Sequence, residues 1–377
     1  MAFSLGSLTE TFNKLASSLG SIGAKDSDSV LGVDIGTSSI KAVQLKLQKG
    51  SAVLETYGEI ALGPYANAEV GQSVNPPLDK LGAALKDLVT EANATARTGG
   101  FSVPLSASLI NVINLPTKNR SDLASMIPIE ARKYIPVPIT EVSLDWFVIP
   151  EEEAQFLSLN GPEGAKAGKP ANTTDVLLVA IQNQMLTKFQ SVTEAAALRP
   201  LFYEVEPFSM GRASYEHTTA PAMIIDLGAS ATRVYIIEFG IIAISHTIGR
   251  GGQDLTLALA KSKGASFKEA EAEKREKGMQ TSETGSAALD FIFAEARRIF
   301  LAYQRKEGKA ISQVVLLGGG ACLKGLETVA ARYFDATIVR GTPFKKVSAP
   351  AFIEDVLKSA GPTFASAIGL ALRALQA

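Results

Sequence analysis

The sequence is poor in the residues on which much active-site chemistry depends. It has one cysteine, Cys322, and two histidines, His217 and His246, in 377 residues. A single thiol excludes a disulfide framework and any Cys-rich metal site. Two imidazoles leave too few partners for a histidine-based zinc centre, and no convincing nucleophile–base set stands out. An excess of one charge is also missing: 37 Lys+Arg against 38 Asp+Glu leave a formal net charge of −1. That argues against a general nucleic-acid binder, which needs a basic footprint. No stretch approaches the roughly 18 consecutive apolar residues of a membrane span. The first 24 residues carry one lysine, Lys14, and no continuous apolar block, which argues against a signal peptide. Two familiar phosphate signatures fail as well. Gly168-Lys169 is followed by Pro170 and has Glu163, not glycine, five positions upstream; Gly318-x-Gly320 has Leu323 where the last glycine of a G-x-G-x-x-G pattern would stand.

What is present begins with an apolar stripe. Leu5, Leu8, Phe12, Leu15, Leu19 and Ile22 are spaced to line one face of a helix. Glu10 and Lys14 nearly cancel on the polar side, whereas an in-plane membrane helix normally carries several cations. Residues 1–28 therefore read as an amphipathic docking segment and a Ser-Gly linker. From Val30 the pattern turns to strands. Val30–Gly36 is an apolar run ending in a turn, and Ile40–Lys46 alternates apolar and polar residues. A helix is predicted near Leu78–Ala94, a strand over Ala107–Leu115, and a helix over Ser121–Tyr134 stopped by Pro136 and Pro138. Glu151–Thr174 reads as a solvated insertion. A strand at Val176–Ile181 and a helix near Met185–Ala197 follow.

The first hairpin then returns. Ala222–Ser230 leads into Arg233–Ile237 in the same order: apolar run, Asp, aliphatic, Gly, small residue, Ser, second strand. The two aspartates, Asp34 and Asp226, lie 192 positions apart, which suggests two related α/β halves facing one another. A third glycine turn, Gly318-Gly319-Gly320, follows the strand Gln313–Leu317 and opens a helix predicted over Lys324–Tyr333. Turns built of Gly, Ser and Thr present backbone N–H groups and hydroxyls suited to phosphate oxygens. An aspartate beside them would repel phosphate, so its natural partner is a hard cation such as Mg²⁺. Lys41, seven residues after Asp34, can supply a positive charge to the same phosphates. One such hairpin alone is more often an ordinary turn; the duplication is what points to a nucleotide held between two halves.

Paired Asp-x-Gly hairpins with a late triple-glycine turn resemble the actin, Hsp70 and sugar-kinase superfamily. Within it, the chain resembles the PilM family of type IV pilus assembly, itself related to FtsA. The resemblance is carried by Val33–Val43, Glu130–Ile139 (with its Lys-Tyr-Ile-Pro-x-Pro-Ile run), Glu141–Trp146, Gly251–Thr256 and Leu317–Ala321, and runs from about Val30 to Leu372. It implies an actin-like ATPase fold of two RNase H-like halves, residues 29–110 with 184–216 and residues 217–377. A smaller part would lie at about 257–312 and an FtsA/PilM-type subdomain at 111–183. It implies ATP and Mg²⁺ as cofactors, with Asp34 and Asp226 facing the metal through water and Glu206 positioning water. Gly36, Thr37, Ser38, Ser39, Lys41, Gly228, Ala229, Ser230 and Gly252 would meet the phosphates and their surroundings. Glu271 and Lys274 would reach the ribose, although a plain helix-surface ion pair is equally open. Gly318, Gly319 and Gly320 would pass beside the adenosine.

The same resemblance implies a partner, the short N-terminal cytoplasmic peptide of a PilN-like inner-membrane protein, held near Arg132, Lys133, Tyr134, Ile135 and Pro136. The alternative reading of Ile135–Pro138 is a helix stop packed on the core. The expected protein is thus a cytoplasmic ATP-binding scaffold of the pilus assembly complex, brought to the inner face of the membrane by partners. At most it would hydrolyse ATP slowly; self-association stays open. The alternatives are an FtsA-like polymerising membrane adaptor and a small-molecule kinase of the same superfamily.

Overall fold

In the computed structural model the described residues are 29–150, 173–216, 220–278 and 283–376. The apolar-striped segment 1–28, His217 and nearly all of the predicted insertion lie outside them. The first half is a five-stranded sheet of β1 (Ser29–Ile35), β2 (Ser39–Gln48), β3 (Ser51–Ala61) and β4 (Thr98–Val103), completed by a later strand, Arg199–Val205. Helix α1 (Leu78–Glu91) follows β3. A three-stranded sheet comes next: β5 (Ser108–Leu115), helix α2 (Arg120–Ala131), β6 (Val142–Val148) and β7 (Thr174–Gln182). Then come α3 (Asn183–Ala195), the returning strand β8 (Arg199–Val205) and α4 (Glu206–Ser214).

The second half holds β9 (Ala222–Leu227), β10 (Thr232–Glu238), β11 (Ile241–Ile248), α5 (Gly252–Lys263), α6 (Phe267–Lys277) and α7 (Glu283–Glu307). It closes with β12 (Gln313–Leu317), α8 (Leu326–Ala330), β13 (Thr337–Arg340), α9 (Glu354–Ala360) and α10 (Ala365–Ala374).

The strand orders are β3-β2-β1-β4-β8 and β11-β10-β9-β12-β13. In both, the first three strands pair antiparallel and the last two pair parallel. The sequence repeat is therefore a repeat of topology. The central strands β1 and β9 are buried at every position, which is why both read as unbroken apolar runs rather than alternating ones.

The layers follow from where each apolar face is covered. One face of the first sheet packs Leu31, Val33, Phe101 and Ile40 against Leu81 and Leu85 of α1 and Phe189 and Val192 of α3. One face of the second packs Met223, Ile225 and Val234 against Leu289, Phe293 and Phe300 of α7. Between the sheets lie α4 and α10, joined to Val43 and Leu45 on one side and to Ile224, Tyr235 and Ile237 on the other. These two helices approach backbone to backbone: a Cβ on Gly369 would overlap the Ser209 carbonyl oxygen. The hydroxyls of Ser209 and Ser366 are 3.1 Å apart across the contact. Glu204, fully enclosed at the end of β8, accepts from both terminal nitrogens of Arg212 at 2.8 Å and from Arg373 at 2.7 Å. Burial pushes its carboxyl up, but the two guanidinium groups outweigh burial and hold it below the usual range.

Three predicted helices are shorter in the structure, α1 ending at Glu91 rather than near Ala94. The α2 helix ends at Ala131, three residues before Tyr134, and continues as turns. Pro136 disfavours helical geometry at Ile135, and the chain bends before it. In the helix predicted over Lys324–Tyr333, Gly325 takes a positive φ of 81° as the N-cap, so α8 starts at Leu326, and it ends at Ala330.

Candidate functional site

The two Asp-x-Gly hairpins face each other at the carboxyl ends of β1 and β9. Each turn closes the same way: Gly36 N–H donates to Ser39 carbonyl at 3.0 Å, and Gly228 N–H to Ala231 carbonyl at 3.1 Å. They touch across the cleft, where Thr37 Oγ1 donates to Ser230 Oγ at 3.2 Å. The start of α5 is stitched to the second turn, with Gly252 N–H on Gly228 carbonyl at 2.8 Å and Gln253 N–H on Ala229 carbonyl at 2.9 Å. A strap after β3 crosses between the halves: Ser73 N–H donates to Gln253 Oε1 at 2.6 Å, and Val74 N–H to Thr37 carbonyl at 2.9 Å.

Around this contact lies one cavity of about 310 Å³. Its wall includes every residue expected to meet the metal or nucleotide: Asp34, Gly36, Thr37, Ser38, Ser39, Lys41, Glu206, Asp226, Gly228, Ala229, Ser230, Gly252, Glu271, Lys274, Gly318, Gly319 and Gly320. Glu59, Gly71, Arg233, Arg275 and Cys322 line it too, and none of these was expected.

Three buried acids converge here. Asp34 Oδ1 accepts from Ser102 Oγ at 2.8 Å, and its second oxygen has no donor among the described residues. Asp226 Oδ2 faces Arg233 Nη1 at 3.3 Å. Its Oδ1 lies against Gly318, where φ is +79° and a Cβ would collide with that oxygen. Glu206, in the first turn of α4, meets Arg233 Nε at 3.0 Å and accepts from Leu105 N–H at 3.3 Å. Burial pushes its carboxyl up, Arg233 opposes this, and the charges of Asp34 and Asp226 add to it, so that it reaches about 7. Burial raises Asp226 as well, with Arg233 again opposing and Asp34 adding. The acids in turn raise Arg233, Glu206 most, so the guanidinium stays charged.

Among the described residues no group of three or more His, Cys, Asp or Glu side chains is placed to hold a metal directly. The acids still suit a hard cation held through water. Asp34 and Asp226 both line the cavity, and the second oxygen of Asp34 is the one that no arginine faces.

Lys41 Nζ donates to Ser39 Oγ at 2.8 Å and lies 3.6 Å from Glu59. Lys274 pairs with Glu271 at 2.6 Å while donating to Gly252 carbonyl at 2.9 Å, and Thr256 Oγ1 donates to Glu271 at 2.6 Å. The ion pair and the cavity position are thus both present, and the pair is buried rather than on a solvated helix surface. Burial lowers Lys274. Burial also works to raise Glu271, but Lys274 and the hydrogen bonds to it win and hold it low.

The segment expected to take a partner lies on the three-stranded subdomain instead. Arg132, Lys133, Tyr134 and Pro136 are exposed, as is Ile129 on the preceding turn. Ile135 is not: it packs with Leu123, Ile127 and Leu178 in the subdomain core, so that side chain stops the helix rather than offering an anchor.

The arrangement has relatives. A family model described as "Type IV pilus assembly protein PilM" matches residues 32–375. The chain belongs to the PilM family. Among solved structures it is similar to the "PilM-PilN type IV pilus biogenesis complex", with TM-score 0.75, 23% identity, and 92% of this chain and 98% of that one covered. It is also similar to ethanolamine utilization protein EutJ from Carboxydothermus hydrogenoformans, with TM-score 0.52, 15% identity, and coverage of 98% and 100%. At these identities the likeness shows the fold, the actin-like ATPase fold expected from the paired hairpins. PilM membership places the chain in type IV pilus assembly. No helix among the described residues is long and apolar enough to cross a membrane.

Arg233 is the residue that sequence reading missed, and a signal for it existed. It stands seven residues after Asp226, as Lys41 stands seven after Asp34. In both ladders the cation lies directly opposite its aspartate. Opposite residues on an antiparallel pair share a face.

Proposed function

We propose that this PilM-family chain is a nucleotide-responsive scaffold of the type IV pilus assembly complex, working at the cytoplasmic face of the inner membrane. Mg·ATP closes the two halves and so sets the shape of a groove beside the three-stranded subdomain. The groove takes the short N-terminal segment of a PilN-like membrane protein, which supplies the membrane address. The observation that carries the reading is the pair of Asp-x-Gly turns meeting across one cavity, Thr37 on Ser230, with both aspartates beneath them.

The roles follow from the side chains. Backbone N–H groups and hydroxyls of the two turns cradle phosphate oxygens. Lys41 adds a point charge at the first turn. Magnesium, when bound, supplies charge neutralisation for the phosphates, held through water chiefly from Asp34. Glu206, pushed up to about 7, can exchange a proton with water near neutral pH. Hydrolysis is expected to be slow, since Arg233 ties up the oxygen of Glu206 that also accepts from Leu105. Exposed Tyr134, Arg132 and Lys133 offer an apolar ring flanked by cations to an extended peptide with acidic or polar neighbours.

Calorimetric titration of the partner's N-terminal peptide, with and without Mg·ATP, tests this. A coupling of about 1–3 kcal/mol, or about 5–150-fold in affinity, is expected. Equal affinities would remove the switch, and no binding in either state would remove the groove.

A further inference from the structure

The core between the two sheets is left uncovered along one rim. Ala349 and Ile353 pack against that core, and Leu357 is buried in it. On the same stretch of chain, leading into α9, Phe352 is 87% exposed and Val356 is 54% exposed. Leu47, near the end of β2, is exposed as well. It lies two residues beyond Leu45 and opposite Ala52 on β3, and both of those pack on this core, so Leu47 continues their face outward. The backbone joins the two parts of the rim: Ser348 N–H donates to Ala52 carbonyl at 2.8 Å, and Leu54 N–H to Ser348 carbonyl at 2.9 Å. A phenylalanine exposed to this degree, with two exposed aliphatics at the edge of one core, marks a contact surface.

We propose that this rim is the docking surface for the chain's own residues 5–22, with the stripe of Leu5, Leu8, Phe12, Leu15, Leu19 and Ile22 laid against Leu47, Phe352 and Val356. The chain enters β1 beside the rim, since Ser29 stands opposite Lys46, the neighbour of Leu47. Ser29, Lys46, Val53 and Ser348 then follow one another in a row across the strands. Three strand spacings make that row about 14 Å long. Residues 23–28 reach about 20 Å when extended, so the tether spans the distance. The stripe carries no charge, and Glu10 and Lys14 fall on its opposite side, which suits an apolar surface. Glu354 and Asp355, exposed between Phe352 and Val356, would repel an anionic membrane, and so favour a protein segment over lipid. A tethered segment also needs little intrinsic affinity, because a short linker holds it at an effective concentration on the order of millimolar.

The test is amide hydrogen exchange, read by mass spectrometry on the full chain, in wild type, L8D/L15D and F352S. Each is measured at two protein concentrations about tenfold apart, and with and without phosphatidylglycerol vesicles. The contact should be visible from both sides. L8D/L15D should speed exchange over residues 350–358 by at least about fivefold, and F352S should speed it over residues 5–22 by as much. Both effects should appear without vesicles and be the same at the two concentrations. L8D/L15D, which alters only the segment before β1, carries the comparison if F352S melts prematurely. Wild-type exchange rates over the opposite segment in a variant that melts normally would overturn the contact. Protection that is lost on dilution would give the rim to a second copy of the chain, and protection seen only with vesicles would give the stripe to the membrane; either result would overturn docking within one chain.

Discussion

Glu206 should leave a mark on the folding equilibrium. Its carboxyl moves from an ordinary 4.5 to about 7 in the folded chain, through burial and the nearby charges of Asp34 and Asp226, against the pull of Arg233. At about 1.36 kcal/mol for each tenfold in proton affinity, that difference is worth about 3 kcal/mol. Below pH 4.5 the group is protonated whether the chain is folded or not, and the stabilisation is fully present. Between 4.5 and about 7 the unfolded chain has released a proton that the folded chain still holds, so raising the pH favours unfolding. Above 7 the loss is complete. Denaturation of wild type and Glu206→Gln from pH 4.5 to 8, in EDTA and without nucleotide, isolates the contribution. The variant has no proton to release at this position, while the raised Asp226 contributes to both proteins and largely cancels. The difference in stability, wild type minus variant, should fall by about 3 kcal/mol across the range. Parallel profiles would refute the reasoning, because they would mean that Glu206 ionises as readily in the cleft as in water.

Asp34→Ala removes the carboxylate with the open edge and leaves the hairpin backbone intact; Mg·ATP binding measured by calorimetry should weaken by about tenfold or more. Full-strength binding would displace the metal from Asp34. Lys41→Ala should weaken binding of the triphosphate more than that of adenosine in the same titrations, and equal losses would remove Lys41 from the phosphates. Glu204→Gln strands Arg212 and Arg373 beside a neutral amide, and should cost about 3–5 kcal/mol in urea denaturation; a loss below about 1 kcal/mol would mean that the guanidinium groups find other partners. Phe208→Ala should leave nucleotide and peptide binding individually near wild type but shrink the effect of Mg·ATP on peptide affinity to under about twofold. Retention of the full coupling would exclude α4 as its carrier.

The hairpins were legible because their signal is local. An apolar run, an Asp-x-Gly turn and a second strand sit within Val30–Lys46, and the copy 192 positions later removes the ambiguity of each alone. Their facing arrangement followed from duplication. Arg233 escaped because the chemistry was sought in the turns, whereas its role depends on the register that sets it opposite Asp226. Asp226 and Asp34 look alike in sequence and differ in the fold, since Asp226 pairs with Arg233 and lies against Gly318 from a third strand-end, whereas Asp34 accepts from Ser102. The α4–α10 contact gave no local sign either. Gly369 lies within an apolar helical run, and the Ser209 carbonyl that requires it is distant in sequence. Ile135 read equally well as anchor or stop; only the subdomain core, assembled from β5, β7 and α2, assigns it to the stop.

A duplicated fold explains a cradle, but it does not by itself explain why ligand binding in the cleft should be felt at the partner subdomain. The nine residues of α4 supply a physical route. Glu206, at its first position, carries the cleft's charge through Arg233. Two residues on, Phe208 packs with Phe147 and Leu177 of the three-stranded subdomain and with Ile241 of the second half. Ser209 meets Ser366 and the backbone of Gly369 on α10, and Arg212 closes the helix onto Glu204 and the Gly369 carbonyl. A phosphate or cation that changes the partners of Glu206 therefore acts on a short rigid helix with little room to yield against α10, because the glycine contact is already backbone on backbone. On the proposed reading the motion left to it would be a small tilt about that contact, which Phe208 would pass to Phe147 and Leu177 of the three-stranded sheet. Coupling of this kind needs no long chain of side chains, only one element packed on three bodies at once.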